Sequence, residues 1–104
     1  MERKIYRLSE EDYANLAQEV LGRLMSPSYF TGVVEVVGHD DYILRLTASL
    51  ILYRGRISDR SILNPDNSIW DVSAVWWDFV CEGDEGIICD DFDFEKFTEF
   101  IIEE

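Results

Sequence analysis

The chain has 104 residues, room for one domain with a single core, and 47% are apolar with three Trp, five Tyr and six Phe, which argues against a disordered chain. The formal net charge of −13 argues against direct binding to a nucleic-acid backbone or an anionic membrane. No run approaches the ~18 consecutive apolar residues of a membrane span, and Met1-Glu2-Arg3-Lys4 leads into no apolar stretch of signal-peptide length, so a cytoplasmic location is expected.

Ser9 followed by Asp12 predicts a capped helix start, with Asp replacing the usual Glu or Gln of a capping box. Leu8 and Tyr13 stand at the staple positions, and Tyr13, Leu16, Val20, Leu21 and Leu24 then recur at helical spacing until Ser26-Pro27 stops the helix. Residues 29–37, rich in Val and aromatics, predict a strand in which Gly32 marks a bulge. Gly38-His39-Asp40-Asp41 reads as a turn, and residues 42–54 as a returning strand with Tyr42, Leu44, Leu46, Ala48, Leu50 and Leu52 on one face.

An irregular loop is expected over residues 55–68, then a third strand over 69–82. Its apolar phase switches between Trp70-Val72-Ala74 and Val75-Trp77-Phe79, which predicts a bulge near Ala74 to Trp77 or a stretch apolar on both faces. Gly83-Asp84-Glu85-Gly86 is a second turn, followed by a short fourth strand at Ile87, Ile88 and Cys89. Asp90 or Asp91 then caps a final helix from about Phe92 to the end. Its Phe94, Phe97, Phe100, Ile101 and Ile102 spread over roughly half the helix circumference, so it packs on two sides or meets a partner. The expected fold is α+β, a three- to four-stranded antiparallel sheet flanked by an N-terminal and a C-terminal helix in one domain. With both helices on the even-numbered face of the second long strand, Ile43, Ile51, Tyr53, Trp77 and Phe79 would lie on the opposite face.

The charge is divided unevenly. Residues 1–60 hold eight Lys/Arg against nine Asp/Glu, whereas residues 61–104 hold one Lys against thirteen Asp/Glu. An intensely acidic half favours a cationic partner, with plain solubility as the alternative. Cys81 and Cys89 are expected to be free thiols, and two Cys with one His fall short of a four-ligand zinc site.

No nucleophile motif or phosphate-binding glycine loop occurs, and His39 beside Asp40 and Asp41 reads as a solvated turn residue rather than a general base. Asp91-Phe92-Asp93-Phe94-Glu95 alternates acids like the start of a calcium loop, but Lys96 and Ile102 stand where that loop needs Gly and Glu, so a helix cap is the better reading. Of Trp76 and Trp77, one should face the core and the other solvent, and Trp77 is taken as the outward ring. Glu95, Glu99 and Glu103 form one acidic stripe at ~6 Å steps. A DNA strand spaces its phosphates ~3.4 Å apart, so mimicry of nucleic acid would need the acids of the Asp84 turn and of residues 90–93 as well.

Trp76-Trp77-Asp78-Phe79, an acidic turn, and Asp91-Phe92-Asp93-Phe94 leading into a terminal amphipathic helix resemble small acidic bacterial proteins of uncharacterised function, some encoded on mobile elements. The resemblance covers the last third of the chain and implies no activity. The sequence therefore leads to a non-enzymatic protein-interaction module without cofactor or metal. Its contact residues would be Trp77, Asp78, Asp84, Glu85, Asp91, Glu95, Glu99 and Glu103, and its partner a basic protein, in one version a nucleic-acid-binding one. The alternatives are a homo-oligomer formed through the apolar sheet face or the C-terminal helix, and a small-molecule binder with a Trp-lined pocket.

Overall fold

The structure, a computed structural model, describes residues 5–26, 28–54 and 69–102. It is α+β, as the sequence leads one to expect, but among the described residues the sheet has five strands and is mixed rather than purely antiparallel. The elements are β1 (Ile5–Tyr6), α1 (Glu10–Gly22), β2 (Tyr29–Val37), β3 (Ile43–Arg54), β4 (Ile69–Gly83), β5 (Gly86–Asp90) and α2 (Phe94–Ile101), with strand order β1-β5-β4-β3-β2. The expected loop over residues 55–68, and Pro27 as the stop of the first helix, lie outside the described residues.

Helix α1 starts where its cap requires. Ser9 Oγ accepts from the Asp12 N–H at 3.1 Å, and Asp12 Oδ2 accepts from the Ser9 N–H at 3.0 Å, so both arms of the capping box form with Asp in the Glu position. The helix ends at Gly22 with Arg23 as its C-cap, short of Ser26-Pro27. Its Tyr13, Leu16, Ala17 and Val20 are buried against the sheet.

Strand β3 buries one face by simple alternation. Leu44, Leu46, Ala48, Leu50 and Leu52 are all at most 1% exposed, and α1 and α2 pack over this face. β2 pairs with β3 in unbroken register from Tyr29↔Ile51 to Val37↔Ile43. Gly32 therefore marks no bulge; it is glycine because its φ of +141° disfavours any side chain.

β4 contains the expected bulge. Its register with β3 shifts between Ser49 and Leu50, whose partners are Trp76 and Ala74, so Val75 is the extra residue. The slip corrects two face assignments. Trp77 pairs with Ala48 and Phe79 with Leu46, which puts both on the helix side of the sheet, not on the face away from the helices. Trp76, opposite Ser49, takes the other face with Ile43, Ile51 and Tyr53.

Two connections lie beyond the reach of local pattern. β1 pairs in parallel with β5, Ile5↔Cys89 and Tyr6↔Asp90. Helix α2 begins later than expected: its N-cap is Asp93, whose Oδ1 accepts from the Glu95 and Lys96 N–H groups, and not Asp90 or Asp91. α2 does pack on two sides. Phe100 stacks on Tyr13 of α1 at 5.9 Å, and Phe94 stacks on Trp77 of β4 at 5.3 Å between ring centroids.

Candidate functional site

Among the described residues, no helix covers the face of the sheet opposite α1 and α2. Its middle is polar and internally satisfied. Arg45 Nη2 donates to Glu82 at 3.2 Å and its Nε donates to Glu35 at 2.6 Å, while the Thr31 and Ser49 hydroxyls share a hydrogen bond at 2.9 Å. The end of the face near the start of β4 is apolar. Tyr29, Tyr53, Trp70, Val75 and Trp76 are exposed there, and the Tyr53 and Trp70 rings lie 5.6 Å apart.

This end meets a second feature at the border of the sheet. β4 pairs with β5 only from Cys81 to Gly83, so no described strand lies beside the 71–77 stretch on the side away from β3. An open groove of about 690 Å³ runs there, lined by residues 71–77 of β4 and by Phe94, Glu95 and Thr98 of α2. Trp76, 50% exposed, flanks it on the uncovered face, and Trp77, 41% exposed, flanks it on the helix side. The outward ring with no helix to rest on is thus Trp76, while Trp77 packs on Phe94 and Phe92.

The acidic residues separate into two groups. Asp12, Asp90, Asp91 and Asp93 serve the fold: Asp91 Oδ1 accepts from the Leu8 N–H at 2.8 Å, Asp90 Oδ1 from the Phe92 N–H at 3.0 Å, and Asp93 caps α2. Burial, then the neighbouring Asp91 and Asp78, push Asp90 above the usual carboxylate range despite the Phe92 N–H that pulls it down. Asp71, Asp78, Glu95 and Glu99 are exposed on β4 and α2. Of the residues expected to make contact, the structure brings Trp77 and Glu95 to the groove, with Asp78 one residue beyond its lining and Glu99 one turn along α2. Asp84 and Glu85 form the turn between β4 and β5, eight residues from Trp76, or ~26 Å of strand. Asp91 is engaged with Leu8, and Glu103 lies outside the described residues. Asp71, Trp76 and Thr98 were not among the expected contact residues. Trp76 follows from the phase switch once the extra residue is assigned to Val75; Thr98 has no signal in the sequence.

His39 is exposed in the turn between β2 and β3, but it is more than a solvated turn residue. Its ring stacks on Tyr6 at 4.2 Å, its Nε2 lies 3.2 Å from the Arg7 carbonyl oxygen, and its Nδ1 lies 3.3 Å from Asp40 Oδ2. The Arg7 carbonyl and then the Asp40 carboxylate raise the imidazole above its ordinary value of 6.5. The stabilisation from protonated His39 is therefore complete below about pH 6.5 and declines as the pH rises through the higher folded-state value. Urea unfolding between about pH 5 and about pH 8 should show a downward slope in the wild type that His39→Gln reduces; identical slopes would contradict the linkage.

Cys81 and Cys89 are both free. Cys81 is buried, and desolvation pushes its thiol up to about 11, whereas Cys89 is exposed. A chromogenic disulfide reagent near neutral pH should label Cys89 alone in the folded protein and both after denaturation. Fast labelling of both in the native state would contradict the burial of Cys81.

Among the described residues no three of His, Cys, Asp and Glu converge as metal ligands, and no helix is long and apolar enough to cross a membrane. Comparison with known proteins gives no matching family model, no matching curated protein and no matching solved structure.

Proposed function

We propose that the protein is a non-enzymatic interaction module that engages a basic protein where the uncovered sheet face meets α2 at the border of β4. The observation that carries this reading is the juxtaposition of exposed Trp70, Val75 and Trp76 with the exposed Asp71, Asp78 and Glu95. An exposed aromatic patch supplies desolvation energy and residence time, and the surrounding carboxylates supply steering and register. In one version the partner is a nucleic-acid-binding protein, blocked by the acidic pair Glu95 and Glu99 on α2.

The test is capture from lysate on immobilised protein, eluted with rising salt, comparing wild type with Asp71→Lys/Glu95→Lys and with Glu10→Lys/Glu11→Lys on the exposed start of α1. A basic protein retained by wild type and by the α1 variant, and released at least about tenfold more readily from the Asp71/Glu95 variant, is expected. Equal retention by all three would refute the assignment. Charge reversal at Glu95, Glu99 and Glu103 tests the mimicry version in the same assay, and unchanged affinity would remove it.

Self-association through the same face is the second reading, favoured by the spread of exposed Tyr29, Val33 and Val37 onto β2. The net charge of −13 opposes it. A dimer held by this face would tighten as salt screens that repulsion, which light scattering at low and high salt distinguishes from a monomer.

A further inference from the structure

We infer that the groove between α2 and the edge of β4 that no described strand pairs accepts an extended segment of the partner, with Lys or Arg at alternate positions, as an added strand beside residues 71–77. The inference rests on the interaction reading above and specifies its contact. The backbone is the first reason. β3 uses one side of β4 along its length, while β5 reaches the other side only from Cys81 to Gly83. The Val72 N–H is instead met by the side chain of the preceding residue, Asp71 Oδ1, at 2.9 Å. A donor satisfied by its own neighbour faces away from β3, and the alternation of an antiparallel ladder turns Ala74 the same way. These groups are a template for an incoming strand.

The groove also has a wall. Phe94, Glu95 and Thr98 of α2 close one side of it. Successive side chains of an added strand point to opposite faces, so they would meet Trp76 on the uncovered face and Trp77 with Glu95 on the helix side. Strand alternation puts the two tryptophans on opposite faces, and the Val75 bulge decides which takes which: Trp76 the uncovered face and Trp77 the helix side. The bulge also limits regular pairing to a few residues, which suits a short linear segment better than a long strand.

Charge selects the occupant. Asp71 and Glu95 line the groove, Asp78 follows directly on β4, and none of the described lining residues is Lys or Arg. A second copy of this chain would bring its own excess of carboxylates to an acidic edge, so a basic segment of another protein is the complementary ligand.

The probe is a synthetic peptide of about seven residues with alternating Lys and Val, capped at both ends and titrated while following tryptophan fluorescence. A strand added to an edge uses the N–H groups of every second residue only. Two N-methylated versions are compared, one modified on each alternate set. The parent should bind, one methylated set should weaken binding by about tenfold or more, the other set should bind nearly as the parent does, and a Glu/Val version should not bind. Equal binding by the parent and both methylated peptides would overturn strand addition. If that binding were still lost in Asp71→Lys/Glu95→Lys, the basic-partner reading would stand without the strand. Absence of binding by the parent at low salt would remove the groove as a strand site, leaving the broader reading to the capture experiment.

Discussion

Phe97→Ala should lower the unfolding free energy by about 4 kcal/mol, one of the two largest losses expected from a single substitution in this chain. Phe97 is fully buried, with its ring 6.0 Å from Phe92 and 5.9 Å from Phe94, within the cluster that joins α1, α2 and the sheet. Truncation removes apolar area and leaves a cavity, and both terms act in the same direction. The helix it anchors has only eight residues. A helix that short is unstable alone, so α2 depends on tertiary contacts rather than on propensity. Only Phe97 and Ile101 of α2 are fully buried, and losing the larger of them should loosen one wall of the groove as well as the core. Urea denaturation measures the loss, and a decrease smaller than about 1 kcal/mol would contradict the packing described.

Asp12→Ala should cost about 3 kcal/mol. The carboxylate is 4% exposed, and its Oδ2 accepts from the Tyr6 hydroxyl at 2.8 Å and from the Ser9 N–H at 3.0 Å. The Tyr6 hydroxyl in turn accepts from the His39 N–H at 2.9 Å. One carboxylate thus ties β1, the start of α1 and the β2–β3 turn together. Losing the cap arm costs ~1 kcal/mol, and orphaning a buried hydroxyl costs ~1–3 kcal/mol more. Removing one negative charge from a chain of net charge −13 relieves some repulsion, but surface charge effects are within about 1 kcal/mol and do not reverse the sign. Asp12→Asn keeps an acceptor for Tyr6 and should cost less. In a double-mutant cycle with Tyr6→Phe, the coupling should exceed about 0.5 kcal/mol; additive losses would show that the Tyr6–Asp12 bond is not the source.

These two sites differ in how far the sequence announces them. The capping box and the alternation of β3 were legible because each is a local rule: a side chain bonding three residues away, or a period of two. The bulge was legible too, since Asp78 falls out of phase with the run that starts at Trp70. Which tryptophan faces which side was not, because the answer turns on where the single extra residue sits, and only the pairing with Ser49 and Ala48 fixes that. The β1–β5 pairing escaped for a different reason. β1 is two residues long and its partner lies more than eighty residues away in sequence, so no periodicity can signal it. The run of aspartates before α2 offers several equivalent caps by local chemistry. The tie between Asp91 and Leu8 occupies one of them, and Asp93 takes the helix.

The candidate site was legible in kind rather than in place. Composition identified an acidic half with exposed aromatics. The fold then withdrew Asp90, Asp91 and Asp93 into structural bonds and set Asp84 and Glu85 at a distant turn. Asp71, Trp76 and Glu95 come together because residues 71–77 of β4 run beside α2.

The most direct test of that placement is amide NMR of the protein titrated with the alternating Lys/Val peptide. Shifts should concentrate in residues 71–77 and at Glu95 and Thr98, with Glu10, Glu11, Glu19 and Asp84 nearly unmoved. Shifts distributed over the exposed carboxylates of both halves, with no excess at the β4 border, would contradict it and reduce the acidic surface to a diffuse attractor of cations.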